Sequence, residues 1–117
     1  MHKVDAMKFG MDPVGAEGAE GVRIQWLVDE SHCAPNFAMR RFIVEPGGCT
    51  PSHSHDWEHE VYILRGRGVL VTAEGDVEVG PNMALFLAPN EVHQFRAMPD
   101  GSLEFLCIVP NGPATVH

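Results

Sequence analysis

The apolar residues of this chain recur with a period of two, in short runs separated by turn residues. Arg23-Ile24-Gln25-Trp26-Leu27-Val28 alternates polar and apolar side chains, the pattern of a strand with one buried face. Runs rich in β-branched and aromatic residues follow at 37–45, 60–66, 68–73, 77–80, 84–88, 92–97 and 103–109. Pro46-Gly47-Gly48, Glu74-Gly75-Asp76, Pro89-Asn90, Pro99-Asp100-Gly101 and Pro110 punctuate them. Gly and Pro fit poorly inside central strands, and most of the chain's 12 glycines and 9 prolines fall between the runs. Gly66 and Gly68 are exceptions, and they predict a sharp bend where one strand leaves its sheet. Residues 10–21, GMDPVGAEGAEG, read as a loop or N-terminal arm. No long helical pattern intervenes. The expected fold class is all-β, a sandwich or small barrel with its core at about residues 22–110.

Composition changes this picture little but narrows the function. The 117 residues suffice for one domain and not for two, and 44% of them are apolar, enough for a core. A net charge of −8 argues against a nucleic-acid partner, which needs a basic patch. No run of 18 apolar residues is present to span a bilayer, and no basic stretch faces an anionic membrane. The start, MHKVDAMKFGMD, lacks the apolar segment of a signal peptide. A cytoplasmic protein with a small-molecule partner is expected. Cys33, Cys49 and Cys107 are odd in number and far apart, which predicts neither a disulfide framework nor a zinc knuckle.

The candidate chemistry lies in HSHDWEHE, residues 53–60, which gathers three of the seven histidines. On extended backbone, residues two apart share a face, so His53 and His55 point the same way, and His59 keeps their parity. Asp56-Trp57-Glu58 between them is about the length of a bend. His93, on a later strand, can return to the same interior of an antiparallel barrel. Four neutral imidazoles suit a borderline divalent ion: zinc, iron, manganese, nickel, cobalt or copper. Glu60 has the opposite parity and should face away; Glu58 or Glu60 is a candidate acceptor to orient a ligand imidazole. His2, His32 and His117 read as terminal or loop residues without partners. By parity Phe95, Phe105 and Cys107 point inward as candidate pocket walls, with Cys107 a buried filler, and Glu104 faces water. Arg40 or Arg41 is a candidate to line the mouth and hold a carboxylate.

At these residues the chain resembles the cupin superfamily. Its first motif is a glycine, five residues, His-x-His, three or four residues, a glutamate, six residues and a glycine. Gly47, His53, His55, His59 and Gly66 match it if His59 takes the glutamate's place. The second motif is met at His93, with Asn82 and Asn90 at its glycine positions, Ala88 at its proline and Ala97 at its asparagine. Asn tolerates the left-handed turns those glycines make. The resemblance spans residues 22–110. APNFAMRRFIVEPGG (34–48), HSHDWEHE (53–60) and EFLCIVPNG (104–112) are more closely similar to small single-domain cupins with an all-histidine site, some of which bind manganese.

The resemblance implies a double-sheet, jelly-roll-like barrel, often a homodimer. It also implies one divalent transition metal per chain, manganese for preference, on His53, His55, His59 and His93. Four neutral ligands leave the full +2 charge on the ion, and an octahedral ion keeps two positions for substrate or dioxygen. The implied function is a metal-dependent oxygenase acting on a small organic substrate. A non-redox isomerase and a non-catalytic binding or sensing module are the alternatives. Imidazole ligands should release the metal as pH falls well below about 6.

Overall fold

The computed structural model describes residues 1–112. It contains strands β1 (Asp12–Pro13), β2 (Glu20–Val28), β3 (Phe37–Cys49), β4 (His59–Arg65), β5 (Gly68–Thr72), β6 (Gly75–Val79), β7 (Ala84–Leu87), β8 (His93–Ala97) and β9 (Leu103–Pro110). Two single-turn 3-10 helices, Ala6–Lys8 and Glu30–His32, complete the described elements. Every strand pairing is antiparallel. No helix among the described residues is long and apolar enough to cross a membrane. All eight runs read from the alternation are strands.

The strands form one curled sheet in the order β6-β5-β8-β3-β9-β4-β7, with β2 also on β3 and β1 on β2. Strand β3 lets the sheet curl, because it serves both halves. Its Phe37–Val44 portion pairs with β9, and Cys49 at its end pairs with Arg96 of β8. Pro46-Gly47-Gly48 is therefore not the end of the strand, as the sequence suggested. It is a bulge: Val22 lies opposite Val44, whereas Glu20 lies opposite Cys49. Gly47 takes φ 74° there, and a Cβ on Gly48 would strike the Glu20 carbonyl. Gly66 and Gly68 do mark the bend expected of them. The chain leaves β4, which pairs with β7 and β9, for β5, which pairs with β6 and β8. Gly66 has φ 85°, and a side chain on it would collide with the Ser102 carbonyl.

The β5–β6 turn is tighter than predicted. Thr72 and Gly75 are already paired, and the Thr72 hydroxyl donates to the Gly75 carbonyl at 2.8 Å. The turn is thus Ala73-Glu74, with Gly75 at φ 122° opening the next strand.

Burial follows parity. On β9, Leu103, Phe105, Cys107 and Val109 are buried, and their odd-even neighbours are not. On β4 the buried residues are His59, Val61 and Ile63; on β8 they are His93, Phe95 and Ala97. Glu104 does take the outer face but is not solvated. Its carboxylate lies 2.6 Å from the Arg41 Nε, and both side chains are largely covered.

The N-terminal arm reaches Arg41, whose Nη1 lies 3.6 Å from the Met11 sulfur, and it is more ordered than its composition predicted. Gln25, 2% exposed, donates to the carbonyls of Ala6 and Phe9 at 2.8 and 3.1 Å. Further along, β1 pairs Asp12 with Ile24 and Pro13 with Arg23. His2 and His32 are not partnerless either. Their rings stack at 3.7 Å, His2 Nε2 lies 3.0 Å from the Leu27 carbonyl, and His32 Nδ1 accepts from the Asp29 amide. His117 lies outside the described residues.

Candidate metal centre

The curl leaves one open end, and there a cavity of about 590 Å³ enters the barrel. Its walls come from β1 to β4, β8, β9 and the 50–57 segment. His53 and His55 lie on the approach to β4, His59 begins β4, and His93 begins β8. Strand parity aims the last two inward, and each is 5% exposed. A backbone bridge locks His53 against His93: the amide of each donates to the carbonyl of the other, at 3.2 and 3.0 Å. His55 is held by the Asn90 amide, which donates to its carbonyl at 2.5 Å.

The four imidazoles converge. His53, His55 and His93 each offer a ring nitrogen, and these nitrogens lie within 4.8 Å of one another. His59 stands just outside that triangle, its ring centroid 4.8 Å from that of His93 and 5.4 Å from that of His55. Three histidines at this spacing can coordinate a divalent ion. Two further features fit such an ion. The buried His59 Nε2 has no hydrogen-bond partner among the described residues. A buried polar atom without a partner costs roughly 1–3 kcal/mol, and a cation would relieve that cost. His93 Nδ1 lies 2.9 Å from the Glu91 carbonyl. A carbonyl only accepts, so Nδ1 carries the proton and the lone pair is on Nε2, the form a metal needs.

The site also keeps His53, His55 and His59 neutral. Burial, with His55, His93 and Arg40 adding positive neighbours, holds the His53 imidazole down at about 4. Burial first, then His93 and Arg40, lowers His59 to about 3. His55 is lowered too, chiefly by burial, with Asp56 acting the other way. A group that resists protonation near neutral pH is ready to bind a cation.

Glu58 and Glu60, the sequence candidates for orienting a ligand ring, engage each other. A shared hydrogen bond with Glu58, then partial burial, raises the Glu60 carboxyl to about 7. The orienting acceptor seen is instead the main-chain carbonyl of Glu91, which side-chain parity cannot reveal.

Of the remaining candidates, Phe95, Phe105, Cys107 and Arg40 line the cavity and Arg41 does not. Phe95 and Phe105 stack with centroids 4.5 Å apart, and Phe42, not singled out in the sequence, stacks on Phe105 at 5.3 Å. Cys107 is buried, and burial pushes its thiol up, so it stays protonated. Arg40 turns into the cavity, while Arg41 faces out to Glu104. Trp57 stacks on His55 at 4.3 Å with the rings nearly parallel. The arm contributes Asp12, Pro13, Val14 and Ala16 to the rim, which no local sequence signal announced.

The cupin domain family matches residues 40–109, which hold all four histidines and most of the barrel. This chain is a member of the cupin family. The polyketide cyclase RemF from Streptomyces resistomycificus superposes with a TM-score of 0.91 at 34% identity, over 96% of this chain and 80% of that one. A protein from Thermotoga maritima described as a predicted oxalate decarboxylase superposes at 0.82 with 25% identity, over 93% and 98% of the two chains. Among curated proteins, the 1-methylthio-D-xylulose 5-phosphate methylsulfurylase of Rhodospirillum rubrum is 38% identical over 71 residues. That match takes in 61% of this cupin but only 46% of the relative's length. Similarity to catalytic cupins and the histidine cluster together support an enzymatic role.

Proposed function

We propose that this cupin is a metal-dependent enzyme that rearranges a small organic substrate without using dioxygen. His53, His55, His59 and His93 hold one divalent transition metal, with manganese the first choice and iron, nickel, zinc, cobalt or copper the others. The observation that carries the reading is the buried, unpartnered His59 Nε2 beside three histidines already within ligand spacing of one another. When bound, the ion supplies Lewis-acid polarisation of a substrate oxygen.

The chain's own residues do the rest. The Glu91 carbonyl fixes the His93 tautomer. The Phe42, Phe95 and Phe105 wall holds an apolar substrate body and excludes water from the inner cavity. Cys107, kept as the thiol, fills space without competing as a nucleophile. The non-redox reading is preferred to the oxygenase expected from the resemblance, because the relatives above are named as a cyclase, a predicted decarboxylase and a methylsulfurylase. A homodimer remains the proposed assembly, supported by the exposed Tyr62, Leu64 and Phe86.

The test is anaerobic. The protein is loaded with each metal and incubated in heavy water with a panel of 1,3-dicarbonyl and 2-oxo compounds, and NMR follows product and α-proton loss. Metal-dependent change without oxygen is expected. Turnover that appears only with dioxygen and a redox-active ion would restore the oxygenase reading, and failure to retain any first-row divalent metal would remove the centre itself.

A further inference from the structure

We infer that Arg40 is the specificity-determining residue of this cavity and that it selects a substrate bearing a carboxylate. The inference deepens the function proposed above and rests on its placing the reaction in this cavity. Arg40 sits on β3 with the inward parity of Ala38, Phe42 and Val44, opposite Cys107 of β9. Its guanidinium lies 5.0 Å from the Phe42 ring centre and 5.6 Å from that of Trp26. These aromatic contacts fix the plane of the guanidinium. Its Nη2 donates to the Cys107 sulfur at 3.0 Å, a weak acceptor. Its Nε is buried and has no acceptor among the described residues.

The other arginines that touch acids show what is missing. Arg23 reaches Glu45 at 2.7 Å, Arg41 reaches Glu104 at 2.6 Å, and Arg65 approaches Glu104 at 3.8 Å. Arg40 has no ion pair among the described residues, in a chain whose net charge is −8. Asp12, the one acidic residue of the lining, is exposed on the rim. A partly buried cation without a counter-charge is costly to the fold, and here it shares a cavity with neutral imidazoles. An arriving carboxylate would supply the absent partner. One guanidinium fork matches two carboxylate oxygens, and the aromatic walls take the rest of the molecule. A phosphate dianion would call for further donors, and among the described residues the lining offers no second cationic side chain.

The chain carries its own reporter, since both of its tryptophans, Trp26 and Trp57, line this cavity. Tryptophan fluorescence is titrated with benzoate, the neutral isostere benzamide, and phenyl phosphate, with metal content measured in every sample. Benzoate is expected to bind at least about tenfold tighter than benzamide, a difference of about 1.4 kcal/mol. Arg40→Met should abolish that preference, and Arg40→Lys should keep part of it. The ligand-free Arg40→Met protein should melt at or above the wild-type temperature, because an uncompensated charge has gone; a purely structural arginine would lower it.

His93→Ala separates this inference from the metal reading. A preference that survives in the metal-free His93→Ala protein and still depends on Arg40 supports the anion site whatever becomes of the metal. A preference lost in His93→Ala but retained in Arg40→Met would put the anion on the metal and overturn the inference. Equal binding of benzoate and benzamide, no saturable binding of either, tighter binding of phenyl phosphate, or a lowered melting temperature in Arg40→Met would also overturn it.

Discussion

The two ends of the barrel share strands and inward parity but differ in what their buried atoms lack. At the closed end Val44 faces Leu103 across the β3–β9 ladder, and Ile63 of β4 belongs to the same buried cluster. Val44, Leu103 and Ile63 are fully buried, and none carries a side-chain atom that needs a partner. Four residues further along the β3–β9 ladder, Arg40 faces Cys107, and beyond them stand His59 and His93. There the His59 Nε2 and the Arg40 Nε are buried with no acceptor or donor. Native interiors satisfy nearly all such groups; of the three exceptions among the described residues two line the cavity, and the third, the Asn111 Oδ1, lies outside its lining. One end holds the barrel together; the other is held by it in a state that a ligand or ion completes.

The largest effects should come from substitutions that test this division directly. Ile63→Ala is expected to cost about 2–5 kcal/mol in chemical denaturation, the range for a truncated core aliphatic, while metal bound per folded molecule is unchanged. His59→Leu should do the reverse. Metal content falls to background, and the metal-free protein gains about 1 kcal/mol, because an unsatisfied buried nitrogen is replaced by an apolar group. A His59→Leu protein that is less stable than wild type without metal would mean that this nitrogen is already satisfied in solution.

A smaller effect, of opposite sign to that of a histidine whose pKa is raised by an acidic partner, is expected from pH. The His53 and His59 imidazoles sit at about 4 and about 3 in the folded chain, against 6.5 when unperturbed. Between those values the unfolded chain binds protons that the folded chain refuses, so stability rises with pH across the interval. The metal-free protein should be at full stability above about pH 6.5 and lose it progressively as pH falls towards 4. Melting curves across that range should show the slope in wild type and in Ile63→Ala, and a flatter one in His59→Leu. An equal slope in all three would place the titration elsewhere.

The closed end was the more legible of the two from sequence. Alternation alone located β4, β8 and β9 and gave the inward set of each, because every second residue there is apolar or histidine. The same parity brought His53, His55 and His59 to one side, an antiparallel barrel allowed the return of His93, and the resemblance to cupins made it a ligand. Arg40 was harder to place. Strand β3 carries apolar residues at both parities, Ala38, Phe42 and Val44 inward but Met39 and Ile43 outward, so periodicity could not say which arginine entered the barrel. The arm was hardest. Its glycines, alanines and glutamates have no strand signal, and its order comes from a distant partner, the Gln25 amide reaching Ala6 and Phe9. Contacts of that kind are tertiary and leave no periodic trace.

The finest test uses two asparagines that the cupin motif set in place of glycine, one near each end. Asn82 has φ 69° and Asn90 φ 67°, both left-handed. The Asn82 amide donates to the Ile63 carbonyl at 2.9 Å, beside the closed core, and its side chain accepts from the Tyr62 hydroxyl at 3.0 Å. The Asn90 amide donates to the His55 carbonyl. Alanine tolerates this backbone poorly, by roughly 1–2 kcal/mol, and asparagine recovers part of that, so each Asn→Ala change should cost about 1 kcal/mol. Glycine, which has no such penalty, should restore most of it. The stability losses should therefore match, and metal affinity should separate them. Asn90→Ala strains the turn that pins His55 and should weaken metal binding several-fold in a competition titration, whereas Asn82→Ala should leave it unchanged. If Asn82→Ala loosened the metal as much, strain at the closed end would be reaching the histidines, and the two ends would have to be treated as one cooperative unit.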